Sequence, residues 1–343
     1  MSIQVGNPLN PKDSGLKKNQ LGFRGQPIQY SDDEFVVLLI GDSQVEATAC
    51  AFDWMPERRL QDYLSSYVKK VKVFSLGSSG YGQDQQLLVL REYYQQYRAD
   101  LVLLWETPAN NVWNNIFPTH LPANGKPNPT FWLQYGQLHG PHEQMGQELY
   151  TSPIKLLPFL WHHGYFVKPR DQEWERKYLP EPYSPMTEYK GPVNRKWQER
   201  WDMNLGGMRN ENLNNEKSHL AIKLTPRSPR MQYGLDLTRA LLLEIANLVS
   251  AHGTKFSIFR TLPPLEEINS QEEVYVLNGK YYRTSQTQLE ENLYYKNKGF
   301  DYYVIPVTIE KWRVGPNDSH LGEHAVDQVM KDLADQMAID ILN

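Results

Sequence analysis

The chain has 343 residues, with 36 Lys and Arg against 40 Asp and Glu for a formal net charge of -4, and one cysteine, Cys50. A balance this close to neutral presents no strong basic field to a nucleic-acid backbone, and a lone cysteine excludes an intramolecular disulfide framework and a multi-cysteine zinc site. The length allows one large domain, or a domain carrying an insertion, with a core large enough to fold without covalent staples.

Residues 1–21 are polar, with Pro8, Pro11 and several lysines, and contain no apolar run of the kind a signal peptide or membrane anchor requires. Residues 1–30 therefore read as an extended N-terminal segment. The expectation is a soluble protein, cytoplasmic if the chain is full length and periplasmic or extracellular if a leader or anchor has been removed. Phe35 to Ile40 is a short, continuous apolar run ending at Gly41, as in a strand buried on both faces. Leu60, Tyr63, Leu64, Tyr67 and Val68 follow at helical spacing, and Val71 to Phe74 supplies a second strand. Leu87, Leu90, Tyr94 and Tyr97 mark another amphipathic helix before a third strand, Leu101 to Trp105. This alternation predicts a parallel sheet in an α/β protein.

From residue 117 to 233 the pattern breaks. This stretch holds 14 of the 23 prolines and five of the nine tryptophans, with no sustained period. It is too aromatic for a disordered linker and reads as an insertion of short helices and loops, a lid or substrate wall over one end of the sheet. Regular structure resumes in a helix over Asp236 to Ala251, stopped near Gly253, then a fourth strand at Phe256 to Phe259. After a polar excursion from Glu266 to Thr287, a helix near Leu289 to Lys298 leads to a fifth strand at Tyr302 to Val307. A last helix follows Pro316 to His320, with Val326, Val329, Met330, Leu333 and Met337 on its apolar face. First and last segments thus belong to one domain spanning 1–343, a three-layer α/β/α sandwich around a mostly parallel five-stranded sheet.

Ligands of such sheets gather at the carboxyl ends of the strands. Ser43 follows the first strand, Gly80 the second, Asn110 the third, and Asp318 and His320 the fifth. A serine hydroxyl becomes a useful nucleophile when an imidazole takes its proton, and the imidazole needs a carboxylate to hold its tautomer and balance its charge. Ser43, His320 and Asp318 supply those three groups. The backbone N–H groups of Ser43 and Gly80, with the Asn110 amide, supply donors for an oxyanion. Each also has a plainer reading. Gly-Asp-Ser after a strand is an ordinary helix entry with serine as cap; Gly80 can be a turn glycine, the role read for Gly77 and Gly82 from their tolerance of positive φ; Asn110 can be a cap, and Asn111, Asn114 and Asn115 compete with it.

Together these blocks resemble the SGNH/GDSL hydrolase superfamily, with its four signature residue types in order: Ser43 in Gly41-Asp42-Ser43, then Gly80, Asn110 and His320. Asn19 to Gly25 resembles a segment that precedes the nucleophile strand in a bacterial branch that includes esterases and O-acetyltransferase-like proteins. The likeness covers roughly residues 19–115 and 234–343. It implies a flavodoxin-like sheet order, a catalytic Ser43, His320 and Asp318, and an oxyanion hole of Ser43, Gly80 and Asn110. Three departures stand out. Gln44 replaces the usual Leu or Phe. Asn111 replaces the Asp of Gly-x-Asn-Asp. One residue, Ser319, separates Asp318 from His320 instead of two, a spacing that resembles alginate O-acetyltransferase-like branches.

The implied activity is serine-dependent acyl transfer: an esterase or deacetylase acting on a carbohydrate or small ester, or else an O-acetyltransferase acting on a polysaccharide or natural-product hydroxyl. A non-catalytic carbohydrate-binding or assembly protein on the same scaffold is the alternative of a different class. No cofactor and no metal are expected. His324, four residues beyond His320, would face the same side of a helix, so the two offer a metal pair, but no acidic partner pattern supports one. His139, His142, His162 and His163 read as surface or packing residues. Trp105, Trp113, Trp132 and Trp161 read as core or as a sugar or acyl surface. Oligomeric state is not legible in the chain.

Overall fold

The computed structural model describes residues 17–119, 128–142, 170–205, 211–263, 272–285, 301–316 and 318–342. At its centre five strands lie parallel: β1 (Phe35–Gly41), β2 (Val71–Gly77), β3 (Leu101–Trp105), β6 (Lys255–Leu262) and β9 (Asp301–Pro306), in the order β2-β1-β3-β6-β9. Successive side chains of a strand point to opposite faces, so a strand covered on both sides is mostly apolar on both. Along β1, Val36, Leu38 and Ile40 enter one core while Val37 and Leu39 enter the other, all of them fully buried.

The first core is closed by α3 (Gln83–Tyr93), α4 (Pro108–Ile116) and α7 (Pro229–Ala251), through Leu87, Leu90, Trp113, Ile116, Leu241 and Ile245. The second is closed by α2 (Pro56–Leu64) and α8 (Glu323–Leu342), through Leu60, Leu64, Val326, Val329, Met330 and Leu333. The result is the α/β/α sandwich expected. Because β2 and β3 flank β1 on opposite sides, the connections leaving β1 and β3 diverge, and a crevice opens between their carboxyl ends. That crevice positions the site.

Several boundaries differ from the sequence reading for identifiable reasons. The helix expected from Asp236 starts at Pro229. Ser228 caps it, its Oγ accepting a hydrogen bond from Met231 N at 2.9 Å, and Pro229 occupies the first turn, where the missing N–H costs nothing. Tyr67 and Val68 lie just past the end of α2, and Tyr94 and Tyr97 past the end of α3, in single turns that prolong the helical stripe. The helix α4, which no apolar period announced, begins at Pro108.

Within the insertion lie a hairpin of β4 (Thr130–Gln134) and β5 (Gln137–His142), the helices α5 (Arg170–Tyr178) and α6 (Lys196–Asp202), and short 3-10 turns at Leu213–Asn215 and Ala221–Lys223. The polar excursion after β6 holds a second hairpin, β7 (Glu273–Leu277) and β8 (Lys280–Thr284), which the sequence reading did not foresee. That hairpin bridges Met186, Asn194 and Leu224 and shares a small core with Tyr183, Leu213, Leu220 and the flanking Trp197 and Trp201. Two segments distant in sequence thus pack into one small body. The helix expected near Leu289 to Lys298, together with Trp161, His162 and His163, lies outside the described residues. A final hairpin, β10 (Arg313–Gly315) with β11 (Asp318–Leu321), precedes α8.

Candidate functional site

Ser43 opens α1 (Ser43–Glu46), a single turn capped by Asp42, whose Oδ1 accepts from Gln44 N at 2.9 Å. The turn packs tightly against the sheet: a Cβ on Gly77 would sit 2.5 Å from Val45 Cβ, so the end of β2 must be glycine. It ends at Ala47 in the left-handed region, φ 45°, an uncommon conformation for a residue with a side chain. Arg24 holds that turn. Its guanidinium is buried and donates to the carbonyls of Glu46, Ala47 and Cys50 at 3.2, 2.5 and 2.8 Å. The segment around Arg24 therefore braces the loop that presents Ser43.

His320 arrives from the other end of the chain. Its Nε2 lies 2.7 Å from Ser43 Oγ and its Nδ1 2.5 Å from Asp318 Oδ1, which also accepts from His320 N at 3.0 Å. Residues i and i+2 of a strand share a face, so on β11 the single intervening Ser319 is the spacing that sets both side chains toward Ser43. The hydrogen bond His320 donates to Asp318 outweighs partial burial and raises the imidazole pKa above its ordinary value, with Asp42 and Glu46 adding to the shift; the same bond lowers that of Asp318. His324 does not share a helix with His320: it lies in the first turn of α8, edge-on to Trp54 at 5.6 Å.

Gly80 follows β2 with φ 80°, so it is itself the turn glycine, and it lines the same cleft as Ser43. Gly77 and Gly82, read as turn glycines from sequence, have no positive φ; close packing requires them, since a Cβ on Gly82 would meet Asn115 Oδ1 at 2.2 Å. Among the described residues neither Ser43 N–H nor Gly80 N–H has a hydrogen-bond acceptor. Asn110 sits in the first turn of α4. Its Oδ1 accepts from Asn114, and its Nδ2 donates to Asp42 Oδ2 at 2.8 Å, leaving the second amide hydrogen for the cleft. Asn111, fully buried, joins the blocks by donating to Tyr81 O and accepting from Gln83 and Thr107 N. Asn111 is thus a bridge between the loops that follow β2 and β3.

Gln44 makes contacts that the sequence did not disclose. Its Oε1 accepts from Leu321 N at 3.3 Å and its Nε2 donates to Ser319 O at 3.4 Å, so its amide clasps the backbone on both sides of His320. Cys50, also nearby, is buried with its thiol pushed up to about 12 by desolvation and by Glu323, which leaves it protonated and inert as a nucleophile.

The cleft over Ser43 has a volume of about 780 Å³. Beyond the residues expected from the sequence, its wall includes Trp197, Arg200, Glu211, His219, Lys223 and Arg313. Trp105 and Trp113 belong to the cores, and Trp132 to an aromatic cluster with His139, His142 and Trp174. Among the described residues no group of three or more His, Cys, Asp or Glu side chains is arranged to hold a metal ion, and no helix is long and apolar enough to cross a membrane.

No family model and no curated protein matches the chain in sequence. Solved structures resemble it in fold. A provisionally assigned acylhydrolase from Bacteroides fragilis is 11% identical, with 97% of this chain and 94% of that one covered and a TM-score of 0.36. An acetyl xylan esterase from the rumen bacterium Butyrivibrio proteoclasticus is 9% identical over 92% of this chain and 66% of its own, with a TM-score of 0.38. A carbohydrate acetylesterase family member from Sinorhizobium meliloti is 11% identical over 90% of this chain and 100% of its own, also at 0.38. Likeness of this degree carries nothing about activity.

Proposed function

We propose that the protein is a serine-dependent acyl-transfer enzyme of the SGNH/GDSL type, hydrolysing an ester of a carbohydrate or small alcohol through an acyl-enzyme on Ser43. The observation that carries the reading is the continuous hydrogen-bonded chain from Asp318 through His320 to Ser43 at the mouth of the sheet crevice. As Ser43 Oγ attacks the ester carbonyl, its proton passes to His320 Nε2 and the carbonyl π pair moves to oxygen. The N–H groups of Ser43 and Gly80 and the Asn110 amide are the donors within reach of that oxyanion. Collapse expels the alcohol, which takes the proton back from His320. Water, deprotonated by the same imidazole, then attacks the acyl-enzyme and releases the carboxylic acid and free Ser43. Transfer to a sugar hydroxyl would use the same groups and differ only in the acceptor.

The test is intact-protein mass spectrometry after exposure to a fluorophosphonate probe and to p-nitrophenyl acetate. Wild type is expected to gain one adduct with the probe and to release nitrophenol, and Ser43→Ala to do neither. Absence of both in wild type would leave the scaffold to a binding protein.

A further inference from the structure

The cleft contains a second imidazole–carboxylate pair with no part in the acyl-transfer steps. Glu211 is 7% exposed and accepts three hydrogen bonds: from Ser218 Oγ at 2.5 Å, from His219 N at 3.2 Å and from His219 Nδ1 at 3.1 Å. Burial alone would raise its pKa, but the bonds from His219 and Ser218 outweigh that and hold its carboxyl below the usual range. The His219 ring is also braced edge-on by the buried Trp113, with centroids 5.7 Å apart. With Nδ1 engaged by a carboxylate, the neutral ring is fixed in the tautomer whose Nε2 is an acceptor. No described residue occupies that acceptor, and the half-exposed ring lines the cleft with Ser43.

A carboxylate buried in this way needs partners for its charge, and two of the three hydrogen bonds it accepts come from His219, which fixes the orientation of that imidazole. The surroundings indicate what the imidazole meets. Trp197, half-buried, lines the same wall and offers an aromatic surface of the kind that covers the C–H face of a sugar ring. Both imidazoles line one cleft, of a size that accommodates one small-molecule ligand.

We propose that Glu211 and His219 form a substrate-binding dyad, in which His219 Nε2 accepts a hydrogen bond from a hydroxyl on the alcohol portion of the ester, that alcohol being a carbohydrate. The assignment rests on the acyl-transfer reading for which end of the ligand lies at Ser43. It makes His219 a determinant of selectivity between esters of polyols and esters without hydroxyls.

Two measurements test it. The first is the ratio of kcat/KM for mono-O-acetyl xylobiose to that for ethyl acetate, in wild type and His219→Ala. The ratio is expected to exceed unity in wild type and to fall about tenfold in the variant, chiefly through KM, as expected for one lost hydrogen bond to a polar site (about 1.4 kcal/mol per tenfold). An equal loss on both esters, a ratio that does not move, or a wild type with no preference for the sugar ester overturns the proposal. The second is calorimetric titration of mono-O-acetyl xylobiose into Ser43→Ala and into Ser43→Ala/His219→Ala, which needs no turnover. A matching tenfold loss of affinity supports the dyad even if Ser43 proves inert, and equal affinities overturn it. Glu211→Gln, which keeps the shape but not the charge, is expected to fall between wild type and His219→Ala in both.

Discussion

His320 bridges the Ser43 hydroxyl and the Asp318 carboxylate, and in the proposed mechanism it takes the proton of the first while the second stabilises the charge that results. The hydrogen bond from its Nδ1 to Asp318 raises its pKa, and a base that must be neutral to act would therefore be switched on at a higher pH than an isolated imidazole. We predict that kcat/KM for p-nitrophenyl acetate rises with pH along a single limb whose midpoint lies above about 6.5, the ordinary imidazole value. Asp318→Asn should lower both the rate and that midpoint. A midpoint at or below the ordinary value in the wild-type enzyme would mean that the Asp318 bond does not persist in solution. At the same scale, Asn110 illustrates how much a neighbour decides: its amide orientation is set by Asn114 and Asp42, neither of which would be its partner in a simple helix cap.

Among elements, the decisive join is between α1 and β11, whose residues lie more than 270 positions apart. Ser43 and His320 can meet only if these two short pieces hold register, and Gln44 supplies the clasp through the amide bonds on either side of His320. Hydrogen bonds of this length, near the surface, contribute at the low end of about 0.5–1.5 kcal/mol each. Gln44→Ala is accordingly expected to lower kcat on p-nitrophenyl acetate about fivefold with KM little changed and the melting temperature nearly unaltered. A loss that appears wholly in stability would make Gln44 a surface residue and nothing more. Arg24 acts on the far side of α1, where its three bonds to carbonyls hold the left-handed Ala47 turn, and this accounts structurally for the segment upstream of β1.

At the scale of the whole molecule, the sandwich and the insertion bury carboxyl groups outside the cleft lining. Burial pushes Glu57, Glu106 and Glu216 up to about 7 and Asp84 up to about 8. In the unfolded chain these groups titrate near their ordinary values of about 4. Between that value and pH 7 to 8 the folded state therefore holds more protons than the unfolded one, and stability must fall as pH rises across this window. The raised imidazole of His320 acts in the same direction, while the lowered Asp318 and Glu211 lose their contribution only below the ordinary carboxylate range. Melting temperature should thus be higher at pH 5 than at pH 8. Asp84→Asn should raise it more at pH 8 than at pH 5, because Oδ2 of Asp84 is buried with no partner among the described residues. A melting temperature that climbs from pH 5 to pH 8 would contradict the protonated state of these carboxyls.

What the sequence determined by itself was the sheet and the order of the reactive groups. A strand buried on both faces is apolar on both, so β1 and β3 were visible as continuous runs and β2, β6 and β9 as shorter apolar stretches within mixed segments, and the residues following β1, β2 and β3 had to fall at one edge. The helix α4 was hidden because it is built on asparagines, whose hydrogen bonds carry no apolar period. Tertiary structure alone decided the rest. Gly77 and Gly82 are required by what packs against them and not by φ; the spacing of Asp318 and His320 follows from a hairpin too short to register as a pattern. The cleft wall joins Trp197, Glu211 and His219 to Arg313 across long separations. Each of these depends on which surfaces meet in space, and no local period along the chain records that.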